Sequence, residues 1–136
     1  MKIIVCLDDN GGMMFNHRRQ SRDRVVITDI ISNLNGARLY IDEYSASLFE
    51  GIQADIAITT DMAVDAGKAD FCFVENRSVS SLSPVFDEVI IYRWNRVYPA
   101  DMRFDIDLKK EGFELFSTVE IEGYSHEKIT KETFRK

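Results

Sequence analysis

Apolar positions come in short runs separated by polar punctuation. Ile3-Ile4-Val5-Cys6-Leu7 is apolar throughout and stops at Asp8-Asp9-Asn10-Gly11-Gly12. A run apolar on both faces suits a central strand covered on both sides. Val25, Val26, Ile30, Ile31 and Leu34 then recur at helical spacing. Ser21 is placed to cap that helix, with Asp23 in its first turn, and Asn35-Gly36 closes it. Arg38–Ile41 reads as a second strand, and Ser45 caps a brief helix through Phe49. Residues 54–59 read as a third strand and 61–68 as a helical turn or loop. Phe71–Val74 is again a buried strand, residues 77–84 offer a short helix closed before Pro84, and Val89–Tyr92 is the next buried strand. The tail differs. Phe113–Ile121 and Glu127–Arg135 form two longer strands around Glu122-Gly123-Tyr124-Ser125, a hairpin signature. Strand–helix alternation followed by a hairpin predicts an α/β domain with a mainly parallel central sheet, flanking helices and a C-terminal antiparallel hairpin.

Length and charge narrow this picture. A chain of 136 residues, 45% hydrophobic and 29% charged, fits one globular domain over residues 1–136. Repeats, low-complexity stretches and linkers are not evident. No leading segment has the pattern of a secretory signal, and no apolar run approaches the ~18 residues that span a bilayer. A cytoplasmic protein is therefore expected. Cys6 and Cys72 lie inside apolar runs and are expected as reduced, packed thiols. The net charge of −6 opposes nucleic acid and anionic membranes.

Candidate chemistry is sparse. His17 and His126 are isolated from any second ligand at metal spacing, so no metal site is expected. His126, with Lys128 and Lys131, reads as decoration of a solvent-facing strand. Asp8-Asp9 reads as an acidic strand-end turn, with magnesium as the other use of such a pair. Arg18, Arg19 and Arg22 flank the helix start, and Arg93-Trp94-Asn95-Arg96 follows a central strand. Arginine beside tryptophan suits stacking on a base and pairing with phosphate. The same residues equally suit ion pairs with some of the 23 acids and packing of Trp94 against the hairpin.

The order of elements resembles the dihydrofolate reductase family across nearly the whole chain. IVCLDDNGGMMFN is similar to that family's opening strand and substrate-covering loop. EVIIYRWNRVYPADMRFDID is similar to a later strand and its loop, and FELFSTVEIEGYSHEKITKETFRK to the closing hairpin. The stretch between the second strand and Phe71 is shorter than in the family, where it carries part of the adenosine-binding subdomain. The resemblance implies a ligand cleft bounded by Met13, Met14, Phe15, Arg18, Arg19, Arg93, Trp94 and Arg96. Met13–Phe15 would then sit on a movable loop hinged at Gly11-Gly12, in place of a loop that carries tryptophan in the family. They either close over an apolar ligand or pack beneath the loop. Asp23 stands where the family's pterin-holding carboxylate falls, counting forward through Gln20-Ser21-Arg22; counting back from Leu39 reaches Val26, which carries no acid. Asp23 is otherwise a first-turn carboxylate favoured by the helix dipole.

The departures concern the cofactor. The family's second strand ends in Gly-Arg-x-Thr, whose arginine meets the ribose phosphate; here Asp42, Glu43 and Ser45 stand in the matching positions. The family's Gly-Gly, which lets backbone approach the pyrophosphate, is Glu75-Asn76. Each carboxylate within ~6 Å of a phosphate costs on the order of 1 kcal/mol at an effective dielectric of about 50. The expectation is no NADPH and no other cofactor. It yields a reductase-derived domain that binds a small molecule of pterin or nucleotide type, or serves as an interaction module. A diverged reductase with another nucleotide cofactor and a nucleotide- or RNA-directed protein are the alternatives.

Overall fold

A computed structural model describes residues 1–82 and 86–136. The central sheet has seven strands in the order β5-β4-β6-β1-β7-β10-β9. They are β1 (Lys2–Leu7), β4 (Leu39–Ile41), β5 (Ile56–Ile58), β6 (Phe71–Phe73), β7 (Glu88–Arg93), β9 (Glu114–Ile121) and β10 (Ile129–Arg135). The first five run parallel, whereas β10 pairs antiparallel with both β7 and β9. The mainly parallel sheet with a terminal hairpin is the predicted architecture. Its central strands are buried on both faces because every second side chain enters a different cluster. Ile3, Val5 and Leu7 of β1 join one, and Ile4 and Cys6 the other.

Helix α1 (Arg24–Ser32) covers the second cluster with Val26, Ile27 and Ile30. Its cap is not Ser21. Asp23 has extended backbone geometry and its carboxylate accepts from Val25 N at 2.9 Å, so the helix starts two residues later than expected. Asn33, rather than Asn35-Gly36, ends it. A similar shift occurs after β4, where Asp42 caps a 3₁₀ segment over Glu43–Phe49 by accepting from Tyr44 N at 3.0 Å. Ser45 lies inside that segment, fully buried. The 61–68 turn becomes α2 (Met62–Asp65). Of the helix expected at 77–84, one 3₁₀ turn forms at Ser80–Leu82; positions 83 and 84 lie outside the described residues.

The main addition is a second sheet of three short strands, β2 (Gly12–Phe15), β3 (Arg18–Arg19) and β8 (Met102–Arg103), in the order β3-β2-β8. Met13–Phe15 is therefore a paired strand and not a hinged loop. Met13 and Met14 are buried in the first cluster, and Phe15 is exposed. Asn16 and His17 both have positive φ, 51° and 61°, the conformation of a two-residue type I′ hairpin. Cys6 and Cys72 are free thiols on opposite faces of the sheet. Among the described residues, no helix is long and apolar enough to cross a membrane.

Candidate functional site

Parallel strands end together, and the loops leaving them open a crevice at their carboxyl edge. Here a narrow cleft, about 20 Å³ inside and about 400 Å³ with its open mouth counted, lies between the start of α1 and the ends of β1 and β6. Val26, Ile27, Leu48 and Phe73 supply apolar wall, while Arg19, Gln20, Ser21 and Arg22 supply polar rim. Cys6 also lines it, but burial pushes its thiol far above the usual range, so it holds its proton.

Asp23 organises one end. Oδ1 accepts from Val25 N and, across 101 residues of sequence, from Tyr124 N at 3.0 Å. Oδ2 accepts from Ser125 N at 2.8 Å, His126 N at 3.1 Å and His126 Nδ1 at 2.9 Å. Burial works against the charge, yet the amides of Tyr124, Val25 and Ser125 and the His126 ring outweigh it and hold the carboxyl well below its usual range. One carboxylate thus caps α1 and clamps the β9–β10 turn. Gly123 makes the clamp possible: a Cβ there would stand 2.5 Å from the His126 carbonyl oxygen and 2.8 Å from Asp23 Oδ2.

The clamp draws His126 inward. The ring is buried, not solvent-facing, and stacks on Trp94 at 4.5 Å between centroids with 24° between planes. Its remaining nitrogen, Nε2, lies 2.8 Å from Ser21 Oγ. The Asp23 carboxylate can only accept, so Nδ1 carries the proton toward it, and in the neutral ring Nε2 accepts from the serine hydroxyl.

Glu75 organises the other end. Arg19 grips it with Nε at 2.8 Å and Nη2 at 3.0 Å, and Ser45 Oγ donates to it at 2.5 Å. The Arg19 guanidinium also lies over the Tyr44 ring, 4.7 Å from its centroid. The hydrogen bond to Glu75 raises the Arg19 pKa. Nearby, Asp42 pairs with Arg77; burial opposes its charge, but the Tyr44 amide and Arg77 keep its carboxyl below the usual range.

Met13, Arg19, Asp23, Glu75 and Trp94 thus line one cleft. The other expected residues lie apart from it. Met14 and Asn76 border a separate depression, as do Phe15 and Arg18. Arg93 pairs with Glu132 of β10, and Arg96 is exposed beyond Trp94. Glu43 is exposed in the first turn of its 3₁₀ segment. Ser21, Gln20 and His126 were not expected as site residues. Lys131, read as surface decoration, pairs with Asp29 at 2.8 Å. The Asp8 carboxylate accepts from Asn10 N, Gly12 N, Tyr98 N and Gln20 Nε2. Among the described residues, no group of three His, Cys, Asp or Glu side chains is arranged to hold a metal.

The fold is that of the dihydrofolate reductases. The dihydrofolate reductase from Enterococcus faecalis, solved in complex with NADP(H) and RAB-propyl, superimposes with a TM-score of 0.67 over 98% of this chain and 94% of its own. Sequence identity is 14%, so the likeness is one of fold. No family model and no curated protein matches the sequence.

Proposed function

We propose that this chain is a dihydrofolate-reductase-fold domain that does not run the NADPH-dependent reaction and instead binds a small organic ligand in the cleft beside Asp23. The observation that carries the reading is the carboxylate of Glu75, held by Arg19 and Ser45 after the strand where the fold's relatives bring backbone to a pyrophosphate. Asp42 and Glu43 add negative charge at the same edge, and its cations Arg19 and Arg77 are already engaged by Glu75 and Asp42. A dinucleotide would have to break these pairs and place phosphates against the released carboxylates. These residues do not suit that cofactor.

The cleft itself favours a small, partly apolar ligand. Its wall is apolar at Val26, Ile27, Leu48 and Phe73 and its rim polar at Arg19, Gln20, Ser21 and Arg22, a lining that suits a small ligand with one polar edge. A nucleic-acid role has less support, because Trp94 is buried under His126 and Arg93 is tied to Glu132. Calorimetric titration with NADPH is expected to give no binding at micromolar concentrations, and a micromolar Kd would overturn the reading. A Glu43→Arg, Glu75→Gly variant is expected to gain measurable affinity. A thermal-shift panel of pterins and nucleosides tests the positive half, since a ligand at tenfold its Kd stabilises by ~1.4 kcal/mol. No shift from any member would argue for an interaction module instead.

A further inference from the structure

We propose that Ser21, His126 and Asp23 form a nucleophile–base–carboxylate relay opening on the cleft, and that the chain hydrolyses short-chain carboxylic esters. The three groups stand in the order such a relay needs: Ser21 Oγ 2.8 Å from His126 Nε2, and His126 Nδ1 2.9 Å from Asp23 Oδ2. Roles follow from geometry and not from chain order, so a serine, histidine and aspartate drawn from a helix entry and a distant hairpin turn qualify. Three further features suit the chemistry. Asp23 is held ionised by backbone amides, so it fixes the imidazole tautomer that leaves Nε2 free to take a proton. Trp94 stacks on the imidazole, fixing its plane and offering a π-face to the cation that forms. Among the described residues, the backbone N–H groups of Ser21 and Arg22 donate to no protein acceptor, and the Arg22 guanidinium makes no ion pair. They are available to an oxyanion beside the serine.

The reaction balances without a redox partner. Ser21 Oγ attacks the ester carbonyl as His126 Nε2 takes its proton, and the tetrahedral oxyanion forms next to the free amides. Collapse breaks the bond to the alkoxy group, which leaves as the alcohol with the proton from His126. Water then attacks the acyl-serine, with His126 accepting and returning its proton, to release the carboxylic acid and restore Ser21. The wall of Val26, Ile27, Leu48 and Phe73 offers the acyl group an apolar surface.

The relay rests on the ligand-binding reading only in needing the cleft to admit a small molecule. The test treats the intact protein with a fluorophosphonate probe, maps the adduct by peptide mass spectrometry, and follows p-nitrophenyl acetate hydrolysis. The expected result is a single adduct on Ser21 and an acetyl-enzyme burst. Both should be lost in Ser21→Ala, and labelling should slow by at least ~100-fold in His126→Gln. Circular dichroism of each variant separates loss of the relay from loss of fold. An unlabelled Ser21 in folded wild-type protein, or hydrolysis that survives Ser21→Ala, overturns the proposal. Either result leaves a pterin or nucleoside thermal shift standing, and an empty thermal-shift panel leaves a Ser21 adduct standing.

Discussion

Two carboxylates line the same cleft and are satisfied in opposite ways. Glu75 is held mainly by side chains, Arg19 and Ser45, the first of which has many rotamers to lose. Asp23 is held mainly by backbone N–H groups from the start of α1 and the β9–β10 turn, whose positions the fold already fixes. Fixed dipoles stabilise a buried charge without further ordering, whereas a gripped ion pair must offset both desolvation and lost side-chain freedom. The Glu75 end is therefore filled by its own ion pair, while at the Asp23 end Ser21, bonded to His126, lines the cleft.

The largest effect should come from the better-satisfied carboxylate. Asp23→Asn turns one acceptor oxygen into a donor pointed at amides that also donate, and removes the charge that binds them. A loss on the order of 3 kcal/mol is expected in urea denaturation, with a drop in Tm of roughly 10 °C. The pH dependence has a definite sign. Because the folded-state carboxyl lies below its unfolded value of ~3.9, its contribution is complete above that value and is lost as pH falls through the folded one. Wild-type stability should thus decline below about pH 4 through a step that Asp23→Asn lacks. Parallel curves for the two proteins from pH 5 to pH 2 would mean that the clamp is not what the charge is for.

Breaking the Glu75 end should cost less. Arg19→Met strands a carboxylate whose side chain is only 9% exposed, at an expected cost of about 2 kcal/mol, reduced from the fully buried case by the nearby solvent. If the pair is a lock, Arg19→Met with Glu75→Met should cost clearly less than the two single changes added together, with a coupling of roughly 1 kcal/mol or more. Additive losses would show that each residue acts through other partners, such as Tyr44 and Ser45, and that the ion pair is incidental.

The sequence pattern carried the large sheet well because β1, β6 and β7 contain continuous apolar runs and the two long terminal strands flank a Gly-containing polar turn. It missed the small sheet for a local reason. Strands of two to four residues carry little periodicity, and the Asn16-His17 turn has left-handed geometry without the glycine that usually advertises it. The caps at Asp23 and Asp42 were displaced from Ser21 and Ser45 because aspartate and serine compete for that role on nearly equal terms. Asp23 stood out in the sequence through the dihydrofolate reductase resemblance, and its place at a helix entry pointed only to a dipole or cap role. His126 was not, since nothing near a polar turn in a strand-rich tail announces a contact to a residue 103 positions earlier. Trp94 offered a hint, because a tryptophan after a central strand needs a large partner and the ring beneath it is that of His126.

The smallest effect belongs to the same chemistry at the opposite end of the sheet. Arg38 Nε lies 2.9 Å from Asp55 Oδ1, just before β4 and β5 begin, and the two side chains are 47% and 53% exposed. The pair matches Arg19–Glu75 in charge and in the Nε–O distance but lacks its burial and its second and third hydrogen bonds, so it shows what an exposed single contact is worth. In water the attraction is weak, the two chains lose rotamers to make it, and salt screens what is left. Asp55→Asn should therefore leave the Tm unchanged within measurement scatter, and 0.5 M sodium chloride should not separate it from wild type. The Arg19→Met loss, by contrast, should persist in that salt, because a buried carboxylate is poorly screened. A fall in Tm for Asp55→Asn equal to that of Arg19→Met would mean that position at the sheet edge, and not removal from water, sets the value of a carboxylate link in this fold. The contrast between Glu75 and Asp23 would then have to be rebuilt on strand-end geometry alone.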